Sequence, residues 1–186
     1  MMETRAFFVR RLAQSPADST RADLKPAAVL IPIIDRPEQT VLFTLRADHL
    51  PTHAGQVSFP GGRVHAEDAT VADTALRETH EEVGVGTDHI DVVGYLDRYD
   101  TRTGYSIVPV VGLVHPDHEL MPNAGEVAEA FEVPLDYLLD PANRVLKGRT
   151  RPNGTTMEGY EIDFGRHVIW GVTARIVTML AERLAR

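Results

Sequence analysis

The sequence predicts a mixed α/β fold, because short apolar runs of strand length alternate with segments that have the periodicity of amphipathic helices. The clearest strand is the apolar run 27–34, bounded by Pro26 and Asp35. The clearest helix is residues 70–83, where apolar residues recur at helical spacing and Gly84 follows as a stop signal. Strands on both sides of this helix indicate a mixed or largely antiparallel sheet.

The first part of the chain predicts an N-terminal helix, a linker and a strand pair. Residues 15–26 are polar and contain two prolines, which is typical of a linker. We therefore expect residues 1–25 to be a helix and linker and residues 26–186 to be the main domain. Residues 40–46 follow a turn-like Asp-Arg-Pro-Glu segment and are expected to pair with the first strand. Residues 53–62 predict a short strand that runs into a Pro-Gly-Gly turn.

The rest of the chain predicts further strands, two short helical pieces and a closing helix. The expected strands are residues 90–96, 105–114, 145–149 and 157–164. The short helical pieces are residues 126–131 and 135–139. Apolar side chains recur on one side of residues 168–184, which predicts a C-terminal helix.

Composition excludes several classes of protein. The 186 residues suffice for one hydrophobic core, and 43% hydrophobic with 25% charged residues is typical of a globular domain. The formal charge of −8 argues against a broad nucleic-acid interface. The absence of cysteine excludes disulfides, thiolate zinc sites and cysteine nucleophiles. Because neither a signal-peptide pattern nor a long apolar stretch is present, we expect a cytoplasmic protein with no membrane partner.

The predicted helix 70–83 carries a cluster of carboxylates. Glu78, Glu81 and Glu82 stand at positions i, i+3 and i+4, so their side chains share one helical face. Such a cluster is either a solvated acidic surface or a site for a hard divalent cation such as magnesium. The preceding glycine pair lets backbone amides approach a phosphate closely. Together these features favour a site for phosphoryl chemistry.

These residues resemble the signature of a known family. The segment that begins at Gly62 resembles the Nudix box. Asp68 follows Gly62 after five residues, and the run Arg77-Glu-Thr-His-Glu-Glu-Val-Gly-Val follows Asp68 after eight residues. With Asp68 as the first acid, this chain has one residue more than the general pattern between that acid and the Arg-Glu pair. Alternatively, Glu67 aligned with Gly61 is the first acid, which leaves nine residues before Arg77. The spacing from Arg77 through the three glutamates is intact. The resemblance implies an α/β/α sandwich with a mixed β-sheet and a loop-helix-loop catalytic motif.

A second segment is similar to the coenzyme A pyrophosphatase branch of this family. Residues 42–62 resemble the motif that precedes the box in that branch, including Arg46 and the run Phe-Pro-Gly-Gly at 59–62. Two positions depart, since the motif has serine where this chain has Ala47 and a second arginine where it has Pro51. Residues 126–135 and 169–174 also resemble this branch.

The resemblance also implies roles for individual residues. The implied magnesium or manganese ligands are Glu78, Glu81 and Glu82, and these residues together with Glu126 are the implied catalytic carboxylates. The implied substrate-binding residues are Arg46, Gly61 and Gly62. Arg77 is expected to pair with Asp68 or Glu67 and so to fasten the loop to the helix.

The predicted function is magnesium-dependent hydrolysis of the diphosphate bond of coenzyme A or acyl-CoA, giving 4′-phosphopantetheine and adenosine 3′,5′-bisphosphate. One alternative is a Nudix pyrophosphatase for ADP-ribose, dinucleotides or nucleoside triphosphates. A second is a Nudix module that binds nucleotides without hydrolysing them. The expected partner is a small nucleotide-diphosphate substrate rather than nucleic acid, and the resemblance suggests a homodimer.

Overall fold

The computed structural model describes residues 2–17, 21, 23–150 and 156–186. The helices are α1 (Met2–Arg11), α2 (Val71–Val83), α3 (Leu135–Leu139) and α4 (Gly171–Leu184), with 3₁₀ turns at Thr87–His89 and Pro141–Asn143. The strands are β1 (Lys25–Ile34), β2 (Thr40–Arg46), β3 (Val57–Ser58), β4 (Gly61–Arg63), β5 (Ile90–Tyr95), β6 (Tyr99–Asp100), β7 (Tyr105–Val114), β8 (Val127–Pro134), β9 (Val145–Thr150), β10 (Thr156–Phe164) and β11 (His167–Trp170). The predicted α/β class is confirmed.

The main sheet is mixed and is centred on β1. Strand β1 runs parallel to β7 along its whole length, from Lys25 opposite Tyr105 to Ile34 opposite Val114. It is antiparallel to β2 on its other side, and the order through the centre of the sheet is β3-β2-β1-β7-β5. Strands β4, β6 and β8 pair with β1, β7 and β2 respectively. The mixed sheet implied by the resemblance is therefore confirmed.

Helices cover both faces of this sheet, which explains why β1 is apolar at almost every position. Leu30 and its neighbours on one face pack against α2, while Ile31 and Ile33 on the other face join the cluster that includes α1 and α4. A strand that is buried on both faces loses the usual alternation of apolar and polar residues. The result is a three-layer arrangement with α2 on one face and α1 and α4 on the other.

The N-terminal helix packs into the main core. Phe8 of α1 is fully buried, and Leu12 just after the helix is nearly so. Residues 18–20 and 22 of the expected linker lie outside the described residues. The division of the chain at residue 25 stays a prediction.

Two predicted helical segments are strands in part or in whole. Residues 127–131 belong to β8, which pairs with β2 from Thr40 opposite Pro134 to Arg46 opposite Val127. The alanines and glutamates of this segment favour a helix locally, but pairing with a buried strand overrides that weak preference. The C-terminal helix begins at Gly171 rather than at residue 168, because residues 168–170 belong to β11.

A smaller sheet of strands β9, β10 and β11 packs beside α4. Strand β10 is antiparallel to both of its neighbours, and the predicted strands 145–149 and 157–164 pair with each other. Ile162 and Ile169 join it to the main core. No helix of the described residues is long and apolar enough to span a bilayer.

Candidate active site

Helix α2 is fixed at both ends by its own sequence. Thr70 caps the N-terminus, since its side chain accepts a hydrogen bond from the Asp73 amide and the Asp73 carboxylate accepts one from the Thr70 amide. Gly84 ends the helix in the left-handed conformation at φ 77°. A β-carbon at Gly84 would lie 2.8 Å from that of Met121, so this position needs glycine for space as well as conformation. The helix therefore begins and ends where the sequence predicts.

Arg77 fastens the preceding loop onto α2. Its Nε and Nη2 donate to the two oxygens of Asp68, each at 3.0 Å, and Nη2 also donates to the Arg63 carbonyl. Its Nη1 donates to Glu78 at 2.8 Å and to Glu81 at 3.2 Å. Of the two predicted partners, Asp68 and not Glu67 forms the pair. A bidentate arginine–carboxylate contact fixes orientation as well as position, so Arg77 sets both the loop and two of the glutamates.

Asp68 is a buried anion whose charge is compensated. Its side chain is only 5% exposed, and it also accepts hydrogen bonds from the Thr74 hydroxyl and the His65 amide. The Arg77 guanidinium, followed by these weaker donors, holds the pKa of Asp68 well below its usual range. Asp68 is therefore ionised over the whole physiological range.

Glu82 is a buried carboxyl group whose negative charge, once ionised, is only partly compensated by the protein. It is 3% exposed, so the alternative of a solvated acidic surface does not hold for this residue. Burial first, and the charges of Glu78 and Glu126 next, raise the pKa of Glu82 to about 8. Arg46 and a hydrogen bond from the Gly61 amide oppose this shift but do not cancel it. A carboxylate in this position is stabilised by an additional cation.

The two glycines lie in strand β4 rather than in a turn. They pair with Ala28 and Val29 of β1. A β-carbon at Gly61 would lie 2.5 Å from the Ala28 carbonyl oxygen, and one at Gly62 would overlap the Glu78 carboxylate. Glycine is required at position 61 because the strand lies against the β1 backbone, and at position 62 because the strand lies against the Glu78 carboxylate. The predicted turn is wrong, while the predicted phosphate contact of the glycines stays a prediction.

Arg46 and Glu126 approach Glu82 from β2 and from the segment before β8. Each alters the pKa of Glu82, Arg46 lowering and Glu126 raising it. The buried Nε of Arg46 has no hydrogen-bond partner among the described residues. The Ala47 amide donates to the Glu126 carbonyl at 2.9 Å, which joins the two elements. Arg46 is therefore a cation placed beside the carboxylates with donor capacity to spare.

The structure brings most of the predicted site residues together, but not as a finished ligand set. Glu78, Glu82, Glu126 and Arg46 are electrostatic neighbours, whereas the Glu81 side chain is 52% exposed and turned towards Arg77. Within the described part of the chain, no three of these carboxylates place oxygens within 4.8 Å of one another. Side-chain rotation of Glu78 and Glu81 is therefore needed before they and Glu82 can share a cation. The donor chemistry, all hard oxygen, fits magnesium or manganese.

Sequence reasoning missed two aspects of this site. The burial of Glu82 depends on β4 and β2 covering that face of α2, which helical spacing alone does not reveal. The fixing of Asp68 by Thr74 was also missed. The sequence contains a signal for this contact. Thr74 lies in the first turn of the predicted helix, where a hydroxyl can donate to an aspartate in the preceding loop.

Residues 24–152, more than half of the chain, match the NUDIX domain family. The chain is 40% identical over 174 residues to a protein of Yersinia enterocolitica named uncharacterized Nudix hydrolase NudL, covering 94% of this chain and 89% of that protein. It is 42% identical over 159 residues to the protein of the same name from Yersinia pestis strain Pestoides F, covering 86% and 79%.

Solved structures show the same fold at low sequence identity. The Nudix hydrolase RenU from M. smegmatis has a TM-score of 0.53 and 22% identity, over 69% of this chain and 81% of that one. A MutT/nudix family protein from Enterococcus faecalis has a TM-score of 0.53 and 15% identity, over 100% and 74%. The domain match and the relatives that are at least 40% identical carry the assignment: the chain belongs to the Nudix family and is a hydrolase of the pyrophosphatase class.

Proposed function

We propose that this protein is a magnesium-dependent pyrophosphatase that hydrolyses the diphosphate bond of coenzyme A or acyl-CoA. The products are 4′-phosphopantetheine, or its acyl derivative, and adenosine 3′,5′-bisphosphate. The observation that carries the proposal is the position of residues 42–62, the segment similar to the coenzyme A branch. This segment supplies β2, the loop 47–56, β3 and β4, and thereby places Arg46 and the glycines around Glu82.

The loop 47–56 is held against the carboxylate site. Besides the contact of Ala47 with the Glu126 carbonyl, the His49 ring contacts the Gly125 carbonyl at 3.1 Å. The loop closes on itself through the Gly55 amide, which donates to the Arg46 carbonyl. A substrate bound at Glu82 would therefore extend along this loop, and the loop is where we expect substrate selection to occur.

The chain's glutamates have separate tasks in this proposal. Glu82 and Glu78 hold magnesium, with Glu81 joining after rotation away from Arg77. Magnesium bound there would offset the charge of the diphosphate and make a coordinated water molecule more acidic. Glu126 or Glu78 accepts the proton from the attacking water, because both lie beside Glu82. Arg46 donates to a phosphate oxygen through its guanidinium group.

Two positions favour a second candidate, a Nudix pyrophosphatase for ADP-ribose, dinucleotides or nucleoside triphosphates. Ala47 is 4% exposed and offers no hydroxyl, and Pro51 is exposed and offers no charge. The coenzyme A motif has serine and arginine at these two places. A chain that lacks that arginine has one fewer donor for the 3′-phosphate that distinguishes coenzyme A from other adenine nucleotides. A non-catalytic nucleotide-binding module is the third candidate, and the intact set of glutamates argues against it.

A substrate panel with product identification by mass spectrometry separates these candidates. Coenzyme A, acetyl-CoA, ADP-ribose, a diadenosine polyphosphate and ATP are compared by kcat/KM in saturating magnesium, with and without chelator. We expect the two coenzyme A compounds to have the highest kcat/KM and to give adenosine 3′,5′-bisphosphate. A higher kcat/KM for ADP-ribose or for a dinucleotide would assign the second candidate. Binding without turnover of any compound would assign the third. A cytoplasmic location and a homodimer are parts of the same proposal.

A further inference from the structure

Two histidines and an aspartate meet on the surface at the end of the sheet. His89 ends the 3₁₀ turn before β5, and His115 and Asp117 directly follow β7. Antiparallel pairing of β5 with β7, with Ile90 opposite Val114, brings these chain segments together. The His115 amide donates to the His89 carbonyl at 2.8 Å, so the two backbones are already fixed beside each other.

The side chains converge on Asp117. The His115 Nδ1 hydrogen-bonds the Asp117 carboxylate, and the His89 Nδ1 lies 3.5 Å from the same oxygen. One potential ligand atom from each residue lies within 4.8 Å of the others. The ligands of a tetrahedral zinc ion lie roughly 3.4 Å apart, given metal–ligand bonds of about 2.1 Å. All three side chains are at least 38% exposed, so the small rotation that closes this difference meets little resistance.

We propose that His89, His115 and Asp117 form a binding site for a divalent cation of the late first-row transition metals, with zinc as the leading candidate. Two imidazoles and one carboxylate are a donor set suited to zinc, nickel, cobalt or copper, whereas magnesium and calcium prefer oxygen alone. The glutamates of α2 offer oxygen only. The two sites therefore differ in the metal that they select, and this proposal does not depend on the function assigned to the glutamates.

The position of the cluster gives the bound cation a structural consequence. His115 and Asp117 begin segment 115–126, which runs along the C-terminal end of α2 and ends at Glu126. This segment is attached to α2 by the Met121 amide, which donates to the Val83 carbonyl, and by the Asn123 amide, which donates to that of Glu82. A cation shared with His89 would fasten the start of the segment to the sheet, as these two bonds fasten its middle to the helix. It would therefore stabilise the folded protein by linkage.

Zinc binding to protein that carries no histidine tag tests the proposal. Isothermal titration with zinc in saturating magnesium is carried out on wild type, His89→Ala, His115→Ala and Asp117→Asn. The matched control is His118→Ala, because His118 lies in the same turn and its Nδ1 is engaged by the His115 carbonyl. We expect one zinc equivalent to be lost, or to bind about 100-fold more weakly, in the three cluster variants and not in the control. Equal zinc stoichiometry and affinity in wild type and His115→Ala would overturn the proposal, as would equal losses in His115→Ala and His118→Ala.

A spectroscopic readout covers the case in which a variant folds poorly. Cobalt bound by imidazole in tetrahedral geometry absorbs visible light far more strongly than octahedral cobalt bound by oxygen, so the two sites are distinguishable in the wild-type protein itself. We expect the intense visible bands with wild type, together with a zinc-dependent rise in Tm that His115→Ala lacks. A wild-type spectrum with only the weak octahedral bands would show that the histidines do not bind metal.

Discussion

Asp68 and Glu82 are two carboxylates at opposite ends of one sequence motif. The Asp68 side chain is 5% exposed although the residue as a whole is half-buried, whereas Glu82 as a whole residue is 3% exposed. Asp68 has its cation within the protein, Arg77, and its pKa is lowered. Glu82 has mainly other carboxylates as neighbours, and its pKa is raised to about 8. The comparison teaches that burial alone does not mark a functional acid. A functional acid is indicated by burial without enough opposite charge nearby. Such a group lowers the stability of the folded protein, so its presence points to a functional role.

The largest difference between these two residues is expected in catalysis. Glu82→Gln keeps the size of the side chain and removes its charge, so we expect magnesium-dependent kcat to fall about 100- to 1,000-fold. Steady-state hydrolysis of the best substrate in the panel measures this. Glu38→Gln, the same substitution at an exposed turn, is the control and should keep wild-type activity. Activity of Glu82→Gln within a few-fold of wild type would remove Glu82 from the catalytic site.

The second difference is expected in stability. Asp68→Asn removes the charged bidentate partner of Arg77, and losing these charge-assisted hydrogen bonds in a half-buried pair costs about 1.5 kcal/mol in the free energy of unfolding. Urea denaturation measures this, and the exposed neighbour Glu67→Gln should change the free energy by less than about 0.5 kcal/mol. If Glu67→Gln were the more destabilising variant, the alternative alignment of the motif, with Glu67 as the first acid, would be correct.

The adjacent glycines sharpen the comparison, because Gly61 lies against the β1 backbone and Gly62 lies against Glu78, a residue of the proposed site. Gly61→Ala forces its β-carbon against the Ala28 carbonyl, and we expect a loss of about 1–3 kcal/mol in stability from overpacking. Gly62→Ala displaces the Glu78 carboxylate instead, so kcat should fall about tenfold with a smaller loss of stability. Urea denaturation and kcat for both variants provide the check. Equal effects of the two variants on stability and kcat would show that Glu78 is not held in place by Gly62.

A further difference concerns pH, where the two carboxylates should act with opposite sign. In metal-free protein the raised pKa of Glu82 means that the folded protein keeps a proton on this group that the unfolded chain has already lost. The free energy of unfolding therefore falls as pH rises from about 4.5 to about 8. Asp68 has a lowered pKa, so its contribution is present above about pH 4 and is lost as pH falls below that value. The free energy of unfolding is measured by urea denaturation in chelator from pH 4 to pH 9. We expect Glu82→Gln to become more stable relative to wild type as the pH rises. If wild type instead became more stable relative to Glu82→Gln with rising pH, the conclusion that the charge of Glu82 is not balanced by the protein would be wrong.

Much of this architecture could be predicted from the sequence, and the failures have a common physical cause. Strands β1 and β7 and helix α2 were predictable because each has a long, unambiguous hydrophobic pattern. Strand β8 was not, because its alanines and glutamates favour a helix until β2 supplies a pairing partner. The position of Glu78, Glu81 and Glu82 on one side of α2 was predictable from spacing, whereas Glu126 and Arg46 were named from the family resemblance. The burial of Glu82 and the meeting of His89 with His115 were not, because both arise from contacts between distant segments.

Manganese binding measured by electron paramagnetic resonance tests the central claim, that Glu82 is buried in order to hold a divalent cation. Wild type and Glu82→Gln are compared in a His115→Ala background, so that the proposed histidine site does not contribute. The account predicts that Glu82→Gln raises the Kd for manganese about 10- to 100-fold at pH 8. An unchanged Kd would contradict it and would show that Glu82 does not bind the cation.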